Sequence, residues 1–226
     1  MKSKELSVII PAFNEEATIK ACLESAQRLN PLEIIVVDGG STDRTREIAQ
    51  DAGAKVVKSQ KGRGIQMNTG ASLAKGEILL FLHADTLMPE AGINFSAESL
   101  NGYVGGFFKL RFSDNAISTR LVELFANVRA RVFSLPYGDQ AIFIKKEVFE
   151  KIGGFREYPF LEDIDLAMRI RKIGKLKYIP FKVIVSSRRL KKGYPLSPIF
   201  VSLRNVVIAL FFICGVSPYR LVRLYR

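Results

Sequence analysis

Three uninterrupted apolar runs decide what this chain can fold into. "SVIIP" (7–11), "EIIVV" (33–37) and "EILLFL" (77–82) contain no polar/apolar alternation. Successive side chains of a strand point to opposite faces, so a strand that is apolar throughout must be covered on both sides. Helical segments separate the runs. In "TIKACLESAQRLN", Ile19, Cys22, Leu23 and Ala26 recur at helical spacing. "TDRTREIAQDAG" repeats the pattern, "AKVVKS" adds a short strand, and "KGRGIQMNTGASLAKG" reads as a glycine-rich loop and a helix stopping at Gly76. Strands alternating with helices predict a mostly parallel sheet flanked by helices. The strand ends at Pro11, Asp38 and Asp85 then share the carboxyl edge, where open α/β sheets bind ligands. Asn14 is placed to cap the first helix, with Glu15 and Glu16 at its positive end.

The second half changes character. "GFFKLRF" alternates, with Phe108, Leu110 and Phe112 opposite Lys109 and Arg111. In "NAISTRLVELFANVRARVF", Ile117, Leu121, Leu124, Phe125, Val128 and Val132 share one helical face, which is expected to be the buried one. "LEDIDLAMRIRKIG" reads as a helix, then "KLKYIP" and "KVIVSS" as two strands. The chain divides into a domain at 1–189 and an apolar, basic helical extension at 190–226. The extension's clean apolar run, Val206 to Val216, is eleven residues, against the roughly 20 that span a bilayer. It is therefore a membrane-surface helix with arginine flanks, a helix packed on the domain, or one packed on a second copy in a homodimer.

Charge is distributed unevenly. The net charge is +12, yet residues 1–100 carry −2 and residues 101–226 carry +14. No acidic residue follows Asp165, while fourteen basic ones do. Such asymmetry fits a phosphate-rich partner or an anionic membrane surface. Zinc-finger and RRM signatures are missing, which argues against nucleic acid. Cys22 and Cys214 have neither zinc spacing nor the density of a disulfide framework, so reduced thiols and the cytosol are expected. "MKSKELSVII" reads as a first strand, not a signal peptide.

The chemistry-bearing residues fall at the ends of these elements. Asp38 can accept hydrogen bonds from a base or ribose, or can close its own turn. In "KGRG" (61–64), glycines admit a phosphate to backbone amides and Arg63 can pair with it, although no Walker A pattern is present. His83 and Asp85 stand two residues apart, so they share one side of an extended chain. They can hold a metal ion or close the strand. A carboxylate with substrate phosphates suits Mg²⁺ or Mn²⁺, and histidine tolerates Mn²⁺ better. Glu162 and Asp163 open a helix, where the dipole stabilises them or where one acts as a general base; Asp165 reads as structural. Arg188 and Arg189, with Lys191 and Lys192, form a solvated turn or a diphosphate-pairing cluster.

In this order, "SVIIPAFNEE", "IIVVDGGSTDRT", "GEILLFLHADT", "GGF" and "LEDIDLAMRI" resemble the family 2 glycosyltransferases of the GT-A fold, over residues 6–189. The resemblance implies a GT-A, Rossmann-like fold and an inverting glycosyltransferase using a nucleotide-diphosphate sugar. Pro11, Ala12, Phe13, Glu15 and Asp38 would hold the nucleotide, with Arg63, Gly64, Ala84, Asp85 and Arg188 near the diphosphate. Asp85 would be the last acid of the DXD metal position, where His83 replaces the first. Asp163, of the Glu162–Asp163 pair, would be the general base, and a divalent metal, Mn²⁺ or Mg²⁺, the cofactor. "RGIQMNTGA", "FLHADT" and "LPYGDQAIF" resemble a bacterial subgroup often labelled arsenosugar-biosynthesis glycosyltransferases, with Gly138 to Gln140 as a candidate acceptor segment. The acceptor would be a lipid-linked or small-molecule hydroxyl or phosphate, and the location cytoplasmic, peripheral at the inner face of the cell membrane. Two alternatives remain: a nucleotide-sugar binding module without catalysis, and a nucleotidyltransferase of the same fold.

Overall fold

A computed structural model describes residues 3–188, except 91, 92, 94 and 97, and residues 198–225. Arg189, Lys191, Lys192 and the start of the extension lie outside the described residues. The first half runs β1 (Ser3–Ala12), α1 (Ile19–Gln27), β2 (Pro31–Asp38), α2 (Thr45–Asp51), β3 (Lys55–Lys58), α3 (Arg63–Leu73), β4 (Ile78–Phe81) and β5 (Thr86–Leu87). The second half adds β6 (Gly105–Phe112), α4 (Ile117–Phe133), β7 (Phe143–Lys145), α5 (Lys146–Lys151), α6 (Glu162–Arg171) and β8 (Leu176–Val185). Two further helices follow, α7 (Pro198–Ile213) and α8 (Pro218–Tyr225).

The strands form one sheet in the order β3-β2-β1-β4-β7-β6-β8-β5. β3, β2, β1 and β4 are parallel, as the apolar runs require. β7 then runs antiparallel to both β4 and β6, and β6 is parallel to β8. Along β1 the side chains alternate between two cores. Val8 and Ile10 pack with Ile19, Cys22 and Leu23 of α1, whereas Ile9 packs with Met67 and Ala71 of α3 and Leu166 of α6. The register Ala12↔Asp38 and Ile9↔Phe81 sets the carboxyl ends of three strands side by side.

Four sequence-based expectations change. The first helix starts at Ile19, and Asn14 is not its cap. Asn14 instead adopts φ +53° and reaches across to the loop after β2, accepting from the Thr42 N–H (2.9 Å) and donating its own N–H to Ser41 Oγ (2.9 Å). That cross-loop pairing outcompetes the local cap. β4 ends at Phe81, and His83 to Asp85 form a turn closed by the Thr86 N–H on the His83 carbonyl (3.0 Å). "KLKYIP" and "KVIVSS" are one strand, β8, whose register against β6 slips at Pro180–Phe181, where proline has no N–H to give.

The fourth change is the largest. α4 buries Thr119, Val122, Glu123 and Ala130, while Ile117, Leu124, Phe125 and Val132 of the expected core face are exposed. The cause lies in β6. Its partner β7 reaches only Gly105 and Gly106, so the backbone groups of Phe108, Leu110 and Phe112 that face away from β8 lack a strand. Side chains replace it. Asn127 of α4 accepts the Leu110 N–H (2.8 Å) and donates to its carbonyl (3.0 Å). Glu123 accepts the Phe112 N–H (2.6 Å), and Gln140 donates to the Phe108 carbonyl (3.1 Å). Unpaired buried backbone groups cost on the order of a hydrogen bond each, so α4 turns its polar side inward.

The extension packs on the domain through one face. Ile208 and Leu221 are buried with Phe160, and Tyr158 meets Phe212 and Tyr219 edge-on. Its other face exposes Phe200, Leu203, Leu210 and Phe211. Among the described residues no helix is long and apolar enough to cross a membrane.

Gly70 shows how closely α3 lies on the sheet: a Cβ there would sit 2.4 Å from Ile9 Cγ2 and 3.1 Å from Val37 Cγ2. Gly70→Ala is expected to destabilise by about 1–3 kcal/mol through overpacking. Urea denaturation should show a lower midpoint at unchanged slope; an unchanged midpoint would refute this packing.

Candidate active site

The described candidate residues can be placed one by one around the carboxyl edge of the parallel strands. Pro11 and Ala12 end β1 and are buried; Phe13 follows, with Lys61 Nζ 3.8 Å from its ring centroid. Asp38 is fully buried and closes its own turn, accepting from the N–H groups of Gly40 (3.2 Å) and Ser41 (3.0 Å). Gln66, which no sequence motif singles out, bridges the β1 and β2 ends by donating to the carbonyls of Ala12 (2.9 Å) and Val37 (2.7 Å). Gly64 is needed for packing, since a Cβ would lie 2.7 Å from the Arg156 carbonyl oxygen.

Two cationic side chains expected at the diphosphate have protein partners. Arg63 grips Glu162 through Nε (2.6 Å to Oε1) and Nη2 (3.3 Å to Oε2). Arg188 pairs with Glu15, whose backbone N–H also donates to Thr45 Oγ1 (2.7 Å). Glu162 is 2% exposed. Burial raises its pKa, opposed by the Arg63 charge and reinforced by that of Asp163. Bound in this way, Glu162 orients Arg63.

Asp163 is the second residue of α6, separated from the N-cap Leu161 by Glu162. Leu161 adopts φ +65°, a conformation rare for a bulky residue and concentrated at functional sites. Asp163 Oδ2 accepts the Gly138 N–H (2.7 Å), and Oδ1 accepts the Ile164 N–H (2.8 Å). Gly138 fits between two site residues: a Cβ on it would lie 2.7 Å from His83 Nε2 and 3.5 Å from Asp163 Oδ2. A glycine here lets the His83 turn and the start of α6 converge. Asp165 is paired with Arg169 (2.6 Å) and is structural, as expected.

Arg63, His83, Asp85, Asp139 and Asp163 line one cleft of about 570 Å³. Asp139 is the member that no residue-level argument placed here; the "GDQ" segment suggested the region and not the role. Its Oδ1 is buried with no hydrogen-bond partner among the described residues. Burial, then the charges of Asp163 and Asp85, push its pKa up to about 6, against the pull of Arg129 and Arg63. Ala84 is buried within the turn.

Among the described residues no three His, Cys, Asp or Glu side chains converge as a self-contained metal site. Asp85 and His83 supply one carboxylate and one imidazole on the cleft wall. That donor set fits Mn²⁺ or Mg²⁺ only with substrate phosphate oxygens completing the shell, which is how these ions are commonly held.

Similarity to known proteins identifies a glycosyltransferase. Residues 7–95 match the family described as Glycosyl transferase family 2. A PGL/p-HBAD biosynthesis glycosyltransferase of Mycobacterium tuberculosis is 30% identical over 187 residues, covering 75% of this chain and 70% of that protein. The chain therefore belongs to glycosyl transferase family 2. A probable glycosyltransferase of Bacillus subtilis, YdaM, is 25% identical over 78% of this chain, which spans only about half (49%) of that protein. Glucosyl-3-phosphoglycerate synthase from M. tuberculosis, crystallised with Mn²⁺ and UDP-glucose, shares the fold, with a TM-score of 0.61 at 22% identity over 94% of this chain and 79% of that one.

The raised Asp139 pKa fixes the sign of a pH effect. The folded chain holds this proton up to about pH 6, whereas the group's ordinary value is 3.8. Folding therefore binds a proton between these values, and Asp139's contribution is full below about pH 4 and lost as pH rises through about 6. Asp139→Asn is expected to flatten the pH 4–6 stability profile relative to wild type; parallel profiles by thermal denaturation would refute the assignment.

Proposed function

We propose that this protein is an inverting glycosyltransferase that moves a sugar from a nucleotide-diphosphate sugar to an acceptor hydroxyl, with Asp163 as general base. The observation that carries the reading is the convergence of Asp163, Asp85, His83 and Arg63 on one cleft at the carboxyl edge. The nucleotide lies against the loops after β1 and β2, where Phe13, Glu15 and Asp38 sit, and the diphosphate against the His83–Asp85 turn and Arg63. The acceptor oxygen gives its proton to the Asp163 carboxylate and attacks the anomeric carbon from the face opposite the diphosphate. The new glycosidic bond forms as the carbon–oxygen bond to the diphosphate breaks, and the nucleoside diphosphate leaves with that electron pair. The Gly138 and Ile164 N–H groups fix the Asp163 carboxylate in orientation. A divalent ion on Asp85 and His83 would supply charge to offset that of the leaving diphosphate.

Asp163→Asn should lower turnover by about 10²–10⁴-fold, the usual worth of a positioned base, while nucleotide-sugar binding by thermal shift stays within a few-fold. A variant with full turnover would exclude Asp163 as the base. The first step is a thermal-shift panel of UDP-, GDP- and dTDP-sugars with and without Mn²⁺ and Mg²⁺, which names the donor and tests the metal.

The same molecule rests on an anionic membrane surface. Exposed apolar residues of α4 and α7 are joined by Tyr219 and Leu224 of α8, and no acidic residue follows Asp165 to repel the lipid headgroups. Vesicles containing phosphatidylserine should sediment the protein, less so as salt rises. Equal recovery in the supernatant with and without vesicles would remove the membrane from the reading.

A further inference from the structure

The cleft does not end at the carboxylates. From Asp163, Asp139 and His83 it continues between α4 and α7, and there its wall becomes apolar: Leu110 and Phe112 of β6, Val122 and Phe125 of α4, Val201 and Val206 of α7. At about 570 Å³ it has the size of a ligand pocket and not of a packing defect. We infer that this channel between α4 and α7 binds the apolar chain of the acceptor, an amphiphile whose hydroxyl-bearing head reaches Asp163. The inference rests on the glycosyltransferase reading and names the class of acceptor it uses.

Three observations select this occupant. First, the channel is continuous with the candidate base: one end is lined by Asp163 and Asp139, the other by the inner margins of the two helices whose outer faces are apolar and exposed. A chain entering from a lipid surface meets apolar wall until its head arrives at the carboxylates. Second, the head end holds a buried oxygen, Asp139 Oδ1, without a hydrogen-bond partner among the described residues. A buried acceptor of this kind costs free energy until a donor reaches it, and a hydroxyl-bearing head brings such donors. Asp163, Asp85, Arg129 and Arg63 all act on that carboxylate. Third, Asn127 and Glu123 of α4 accept the Leu110 and Phe112 N–H groups of β6, which holds the helix at the sheet by its polar side and leaves Val122, Phe125 and Ala126 on the channel wall. A small polar acceptor needs only the head end and leaves this apolar wall without a use.

The chain contains no tryptophan, so Phe125→Trp places a single indole reporter on the channel wall. The probes are methyl, hexyl, octyl and decyl β-glucosides below their micelle concentrations; they share one hydroxyl-bearing head and differ only in chain. Expected is a saturable blue shift of emission whose half-saturation falls about three- to fourfold per added methylene, as burial of that group implies. Methyl glucoside should give none at the same concentrations. Ala126→Phe, which fills the channel from α4, and Val206→Arg, which puts a charge in its α7 wall, should each abolish the shift in the reporter background. Half-saturation independent of chain length overturns the inference, and so does a shift that survives both variants, because the chain then lies on the outer surface. Nucleotide-sugar binding is read separately in every variant, by thermal shift with Mn²⁺. If it fails while chain-length dependence holds, the catalytic reading is wrong and the channel stands. If it holds while chain-length dependence is missing, the channel is wrong and the catalytic reading stands.

Discussion

The β6 backbone needs partners that its neighbouring strand is too short to supply. β7 is three residues long and leaves one side of Phe108, Leu110 and Phe112 open. Gln140, Asn127 and Glu123 fill the gap from outside the sheet. Because two of them belong to α4, the helix must present its polar side to the sheet. Everything beyond follows from that orientation. The apolar side of α4 faces outward, α7 packs beside it, and a channel remains where a fully buried helix would have left none. Gln140 ties the same edge to Gly138, so the strand gap also holds the segment that touches Asp163.

Electrostatics at the site follow a related economy. The two arginines that could meet a diphosphate are each held by a buried glutamate, Arg63 by Glu162 and Arg188 by Glu15. The two contacts between Arg63 and Glu162 fix the plane of that guanidinium. The carboxylates differ in their surroundings. Asp163 is satisfied by two backbone N–H groups, whereas Asp139 has a buried oxygen with none among the described residues and holds its proton to about pH 6. Carboxylates set apart by environment in this way can take different roles in one reaction.

Sequence carried the parallel half of the fold well, because an apolar strand covered on both faces leaves a local trace in "SVIIP", "EIIVV" and "EILLFL". Strand ends and motif order also put His83, Asp85 and Asp163 forward as candidates, and the structure brings the three to one cleft. What it missed is long-range hydrogen bonding by polar side chains. Asn14 has the composition of a helix cap, but its partners are Ser41 and Thr42. Gln66, Asn127 and Gln140 look like ordinary surface amides, yet each bonds to the backbone of another element. The face of α4 escapes the sequence for the same reason: helical periodicity finds the apolar side but not whether sheet, lipid or ligand covers it. Asp139 was legible only as a neighbour of Gly138.

The Glu15–Arg188 pair joins residues 173 positions apart, and the Asp85 carbonyl accepts the Ser186 N–H just beyond the last strand. Contacts this distant in sequence carry a large loop-closure entropy and form late in folding. The parallel strands β3, β2, β1 and β4 can pair as soon as the first third of the chain is available. The rim around the His83 turn cannot close until β8 has been synthesised and docked. A nascent chain would thus carry a nearly complete parallel half for most of its translation while lacking the wall that completes the cleft, so the cleft would be assembled in one late step.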